Sequence, residues 1–232
     1  MNDEEAKNRS SDAPFEWLTS FQSVRHLVLP TRIIYGSSFP IDEANNDRIA
    51  DTCSSVQLTA LHVGCGTSTV GESLLCLRER TRSHIFSYGC VVNVDNDENA
   101  LDSMKRRWET RKPPVQIESR TSYHEEMGTM LWKCIDFKCD KSCRLALDGV
   151  CQQLMQQNPC TSIEPGGCFD LVLDKSTLDC LLCAETDVVA QFLCEVYRAL
   201  RVPTPLERNP NDATTNSTKA NSPSAWGGVY VL

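Results

Sequence analysis

Apolar residues recur along the chain in two rhythms. Short blocks that are apolar on both faces read as strands: Leu58–Val63, Cys90–Asp97 (apolar until its acidic end), Met130–Phe137, Cys168–Lys175 and Gly227–Leu232. Between them the apolar positions fall at helical spacing. FEWLTSFQSVRHLVLP places Phe15, Leu18, Phe21, Val24, Leu27 and Val28 on one side and predicts a helix ending before Pro30, with a loop after it. DRIADTCSSV reads as a second helix, Val70–Arg80 as a third, and ENALDSMKRRWE as a fourth with Ala100, Leu101, Met104 and Trp108 aligned. Val188–Leu200 reads as the helix after the fourth strand. Strands apolar on both faces that alternate with helices imply an α/β fold, a mostly parallel sheet covered by helices on both sides.

Two segments interrupt this alternation. Residues 138–167 are rich in Cys and Gln and read as an insertion joining the third strand to the fourth. Residues 202–226 are polar and rich in Pro, Asn, Ser and Thr, the composition of a disordered insertion. Residues 1–14 are charged and polar without period and are expected to be disordered, which leaves residues 15–232 as one domain. The chain has 232 residues and a net charge of −8, a balance that argues against a nucleic-acid binder. Its start, MNDEEAKNRSSD, has no apolar signal core, and no apolar run approaches the ~20 residues that span a bilayer. The thirteen cysteines are odd in number and irregular in spacing, unlike a disulfide framework. The expectation is a cytoplasmic protein with reduced thiols and no membrane partner.

Chemistry enters at LHVGCGTSTVGESLL, Leu61–Leu75. Ligands of open α/β sheets bind at the carboxyl ends of the strands. Gly64 and Gly66 end the first strand, where the lack of a Cβ lets backbone approach a ligand, and the helix from Val70 directs its N-terminus at the same place. Asp95 ends the second strand, where a carboxylate can accept hydrogen bonds from a ribose diol. Together these describe a nucleoside with an anionic group. A dinucleotide fits poorly, because Thr69 stands where its third glycine belongs and Asp95 lies beyond the usual ~20-residue spacing.

These residues resemble class I S-adenosylmethionine-dependent methyltransferases, VGCGTSTVGESL matching their first motif and NVDNDENALDSMKRR their second-strand segment. FDLVLDKSTLDCLL, Phe169–Leu182, is similar to a segment of one group, the elongation factor 1-alpha lysine methyltransferases and their relatives; FEWLTSF and MLWKCIDF match that group's opening helix and third strand. The resemblance implies a Rossmann-like fold, S-adenosyl-L-methionine as cofactor and methyl transfer to a protein lysine, with elongation factor 1-alpha as the kind of substrate. By position it implies that Gly64, Cys65 and Gly66 lie along the methionine part, that Asp95 and Asn96 take the ribose, that Ile135, Asp136 and Phe137 border the adenine, and that Asp174 and Lys175 face the reacting centre as catalytic residues. The chain departs from the group in three ways. Ser176 replaces the glycine of the LDKGT pattern, the segment before FEWY is not recognisable in residues 1–14, and the sequence ends within the fifth strand, as if truncated there. A methyltransferase for a small molecule, or a catalytically inactive module of the same fold, are the competing functions.

Other features draw blander readings. Cys65 reads as a small buried residue rather than a nucleophile. Lys175 is either at the reacting centre or an ion-pair partner of Asp174 or Asp179. Cys134, Cys139, Cys143 and Cys151 lack paired zinc spacing, and Cys180 and Cys183 form CxxC within an apolar helix, so no metal is expected. The four histidines show no metal spacing, and Lys105–Arg107 reads as the solvated face of a helix.

Overall fold

A computed structural model describes residues 21–35, 54–81, 84–110, 128–138, 140–157, 167–183, 186–201 and 228–231. The expectations for residues 1–14, for residues 15–20 of the first helix, for the start of the second helix and for residues 202–226 lie outside them.

Five strands carry the parallel sheet expected from the pattern. They are β1 (Ser54–Val63), β3 (His84–Asp95), β4 (Thr129–Cys134), β5 (Leu171–Asp174) and β6 (Val229–Val231). β1 pairs with β3 on one side and β5 on the other, β4 continues beyond β3, and β6 continues beyond β5, all parallel. Strand order reverses direction between β1 and β5, the topological switch point at which open α/β sheets bind ligands. The register sets Val63 beside Val94 and Asp174, and Asp95 beside Cys134. The chemistry-bearing residues of the sequence therefore end neighbouring strands.

Alternation sorts the strand residues onto two cores. Leu61, Val63, Val92, Val94 and Val172 pack with α5 (Asp140–Gln157), α6 (Thr177–Leu182) and α7 (Thr186–Ala199). Leu58, Ala60, Phe86, Tyr88, Val91, Leu171 and Leu173 pack against α2 (Pro30–Tyr35) and α3 (Val70–Leu75). The fold is α/β and Rossmann-like, with helices on both faces of a mostly parallel sheet. α1 (Phe21–Val24) is one short turn, and α4 (Glu98–Thr110) buries Leu101 and Met104 as its spacing predicts.

Several elements differ from expectation, each for a local reason. Pro30 opens a helix instead of following one: proline at the first helical position loses no hydrogen bond. The next amide, Thr31 N–H, donates to Glu79 Oε2 at 2.7 Å and the Thr31 hydroxyl to the same oxygen at 2.9 Å. The helix expected to run to Arg80 stops at Leu75, where Leu77 N–H tightens onto Leu74 O at 2.9 Å. Arg78–Arg80 then form β2, antiparallel to Ile85–Ser87 of β3. Ser54–Val56, expected to be helical, pair with His84–Phe86.

The largest correction concerns residues 138–167. Asp140–Gln157 form α5, which buries Cys143, Leu147, Val150 and Leu154, spaced four, three and four apart, so much of the expected insertion is a core helix. It also carries Cys151 to within 5.7 Å, Cα to Cα, of Cys168, and the two form a disulfide where reduced thiols were expected. Among the described residues no helix is long and apolar enough to cross a membrane, and no group of three or more His, Cys, Asp or Glu side chains converges on a metal site.

Phe192 of α7 is fully buried and meets Phe137 edge to face, ring centroids 5.1 Å apart. Phe192→Ala is expected to destabilise the fold by about 3–5 kcal/mol, read as a lower urea midpoint at unchanged slope.

Candidate functional site

The loop after β1 is shaped by two glycines. Among the described residues, Gly64 (φ +63°) and Gly66 (φ +48°) are the glycines of positive φ, a region in which L side chains are strained. A Cβ on Gly64 would overlap the Thr177 hydroxyl and lie 2.8 Å from Lys175 O, so this glycine lets α6 close over the end of β1. A Cβ on Gly66 would meet nothing within 4 Å. Gly64 is therefore required for packing, whereas Gly66 borders open space.

That space is a cleft of about 740 Å³ at the carboxyl edge of the sheet, within the range of small-molecule sites. Gly64, Cys65 and Gly66 line it from the loop after β1. Asp95 lines it from the end of β3, Asn96 from the turn that follows, and Ile135, Asp136 and Phe137 from the loop after β4. Lys175 lines it just after β5, followed by Ser176 and Thr177. Nine of the ten residues singled out in the sequence thus share one cavity wall. The tenth, Asp174, does not line the cleft.

Asp95 ties the loop to the sheet. Its Oδ2 accepts a hydrogen bond from Gly66 N–H at 2.7 Å and its Oδ1 from Asp97 N–H at 3.0 Å. Each carboxylate oxygen has a second lone pair left for a ligand hydroxyl. Asp97 in turn caps α4, its Oδ1 accepting from Asn99 N–H at 2.9 Å. Asp136 Oδ1 accepts from Lys138 N–H at 2.9 Å and fixes the turn after β4.

Asp174 performs a similar service at β5. It is 4% exposed. Its Oδ1 accepts from Thr177 N–H at 2.8 Å, and its Oδ2 from Leu178 N–H and the Tyr230 hydroxyl, each at 3.0 Å. Burial raises its pKa, against the opposing pull of these donors. The carboxylate holds the first turn of α6, whose Thr177 lines the cleft.

Cys65 is fully buried, and burial together with the nearby Asp95 carboxylate pushes its thiol far up, out of the thiolate range. It behaves as the small apolar residue the sequence suggested. Arg107 does not lie on a solvated face. Its Nε donates to Glu72 Oε1 at 2.9 Å, and its two terminal nitrogens donate to Thr67 O at 3.1 Å and Ser68 O at 3.2 Å. One guanidinium thus clamps the glycine loop and α3 to α4. The signal was present in the sequence: Arg107 follows the buried Met104 by three residues on the same helical face.

Ser176 explains the glycine of the related pattern. Its φ is +68°, and its buried hydroxyl finds no hydrogen-bond partner among the described residues. Ser176→Gly removes both the left-handed strain and the unsatisfied hydroxyl, and is expected to stabilise the protein by about 1 kcal/mol, read as a raised thermal midpoint.

No family model matches the chain, and no curated protein matches it. Solved structures that it resembles include a TehB-like SAM-dependent methyltransferase from Corynebacterium glutamicum, at 16% identity and a TM-score of 0.33, over 62% of this chain and 50% of that one. A SAM-dependent methyltransferase from Methanosarcina mazei aligns at 14% identity and a TM-score of 0.37, over 63% of this chain and 49% of that one. The chain spans about half the length of each.

Proposed function

We propose that the chain is an S-adenosyl-L-methionine-dependent methyltransferase that modifies a protein lysine, in a substrate of the elongation factor 1-alpha kind. The observation that carries the cofactor is the pairing of Asp95 with Gly66. A carboxylate with spare acceptor capacity stands beside a stretch of loop where a Cβ would meet open space. The first suits a ribose diol and the second the passage of an amino-acid tail. Ile135 and Phe137, both apolar, and Asp136 offer an edge for a purine. The donor set and the cavity size fit the group.

When bound, S-adenosylmethionine supplies an electrophilic methyl on a sulfonium, and the chain's residues align and desolvate. Holding acceptor and methyl in line can contribute about 7–11 kcal/mol. The acceptor amine has to shed its proton, and removal from water favours its neutral form. Asp97, Asp136 and Asp179 at the cleft draw a cationic side chain in, set against Lys138 and Lys175. In this reading Asp174 acts indirectly, by fixing the turn that presents Lys175 and Thr177, and Lys175 is the member of that pair that faces the cleft. The lysine acceptor is supported by the likeness of LDKSTLDCLL and FEWL to the elongation factor 1-alpha group.

Calorimetry tests the cofactor. The wild type is expected to bind S-adenosylmethionine, and Asp95→Ala to bind it about 10- to 100-fold more weakly, the loss of one or two hydrogen bonds to a charged acceptor. Equal affinity of the two proteins removes Asp95 from the site. Transfer of tritiated methyl from S-adenosylmethionine in a cell extract tests the acceptor: label is expected in a protein band of elongation factor 1-alpha size, and label confined to small metabolites overturns the lysine reading.

A further inference from the structure

The CxxC of Cys180 and Cys183 is not used by the proposed reaction, yet both residues line the cleft. Both are free and exposed, in contrast to the buried Cys65 across the same cavity. Cys180 lies in the last turn of α6, and Cys183 is its C-cap with right-handed helical backbone (φ −81°, ψ −5°). Residues three apart on a helix have neighbouring side chains, with Cβ atoms about 5–6 Å apart. A disulfide needs about 3.5–4.5 Å, so closure asks the two side chains to approach by about 1–2 Å at the C-terminal end of α6. Thr177, one turn before Cys180, is the residue packed under Gly64, so the dithiol shares its short helix with the support of the glycine loop.

We propose that Cys180 and Cys183 form a vicinal dithiol, a modification site at the cleft that takes disulfide oxidants of the glutathione class. The thiolate of one cysteine attacks a sulfur of glutathione disulfide; that S–S bond breaks, and one glutathione leaves as a thiolate that takes up a proton. The thiolate of the second cysteine attacks the cysteine sulfur of the mixed disulfide and releases the second glutathione. Two protein thiols are oxidised to one disulfide, and one glutathione disulfide is reduced to two thiols. The second step is intramolecular and outruns hydrolysis or exchange of the mixed disulfide because its partner is already in place. This chemistry is independent of the methyltransferase reading.

The test uses the full chain carrying Cys194→Ser, because trypsin leaves Cys180, Cys183 and Cys194 on one peptide, Ser176–Arg198. The folded protein is treated with glutathione disulfide, quenched with a thiol-alkylating reagent and mapped by mass spectrometry. The expected result is a peptide that has lost two hydrogens and carries no glutathione. With Cys183→Ser added, the same peptide is expected to retain glutathione on Cys180, since the resolving thiol is gone. Retained glutathione on both cysteines of the parent protein, or two alkylated thiols after treatment, overturns the proposal. The parent measurement stands without the second variant.

Discussion

The bond between the Asp95 carboxylate and the Gly66 amide, 2.7 Å long, organises the cleft. It joins the end of β3 to the loop leaving β1, and so fixes backbone at the point where strand order reverses. Asp174 repeats the device on the next strand by gripping the first amides of α6. Hydrogen bonds to charged acceptors contribute about 1.5–3 kcal/mol each. Gly64 completes the arrangement, because any side chain there would push Thr177 and α6 off the strand end. The wall of the cavity is thus set by carboxylates and missing side chains more than by bulky packing.

The parallel sheet was legible because β1, β3 and β5 are apolar on two faces, and each face found its own set of helices. The site was legible because Gly64, Gly66 and Asp95 end strands, and parallel register brings strand ends together. α5 was missed because its polar and cysteine-rich composition masked a helical period carried by Cys143, Leu147, Val150 and Leu154. β2 was missed because Arg-Glu-Arg holds no apolar residue; a long-range partner, Thr31, decides where its acid points. Pro30 misled because proline can open a helix as readily as follow one.

Asp174 shows a different limit. A carboxylate at the end of a strand can line a cleft, as Asp95 does, or cap the following helix, and composition does not distinguish the two. Asp174 accepts from three donors on two elements, including Tyr230 from a strand 56 residues away in sequence, and so holds the start of α6. Arg107 carries the opposite lesson: a charge inside a basic run holds a structural clamp because of the face it occupies.

What joins fold to function is the claim that backbone at Gly66, held by Asp95, is a ligand surface. Titrating the isotopically labelled protein with S-adenosylhomocysteine, and following backbone amide resonances, examines it residue by residue. Saturable shifts centred on Gly64, Gly66, Asn96 and Ile135 are predicted. Saturable shifts elsewhere with these amides unmoved, or no shifts from a folded chain, would contradict it.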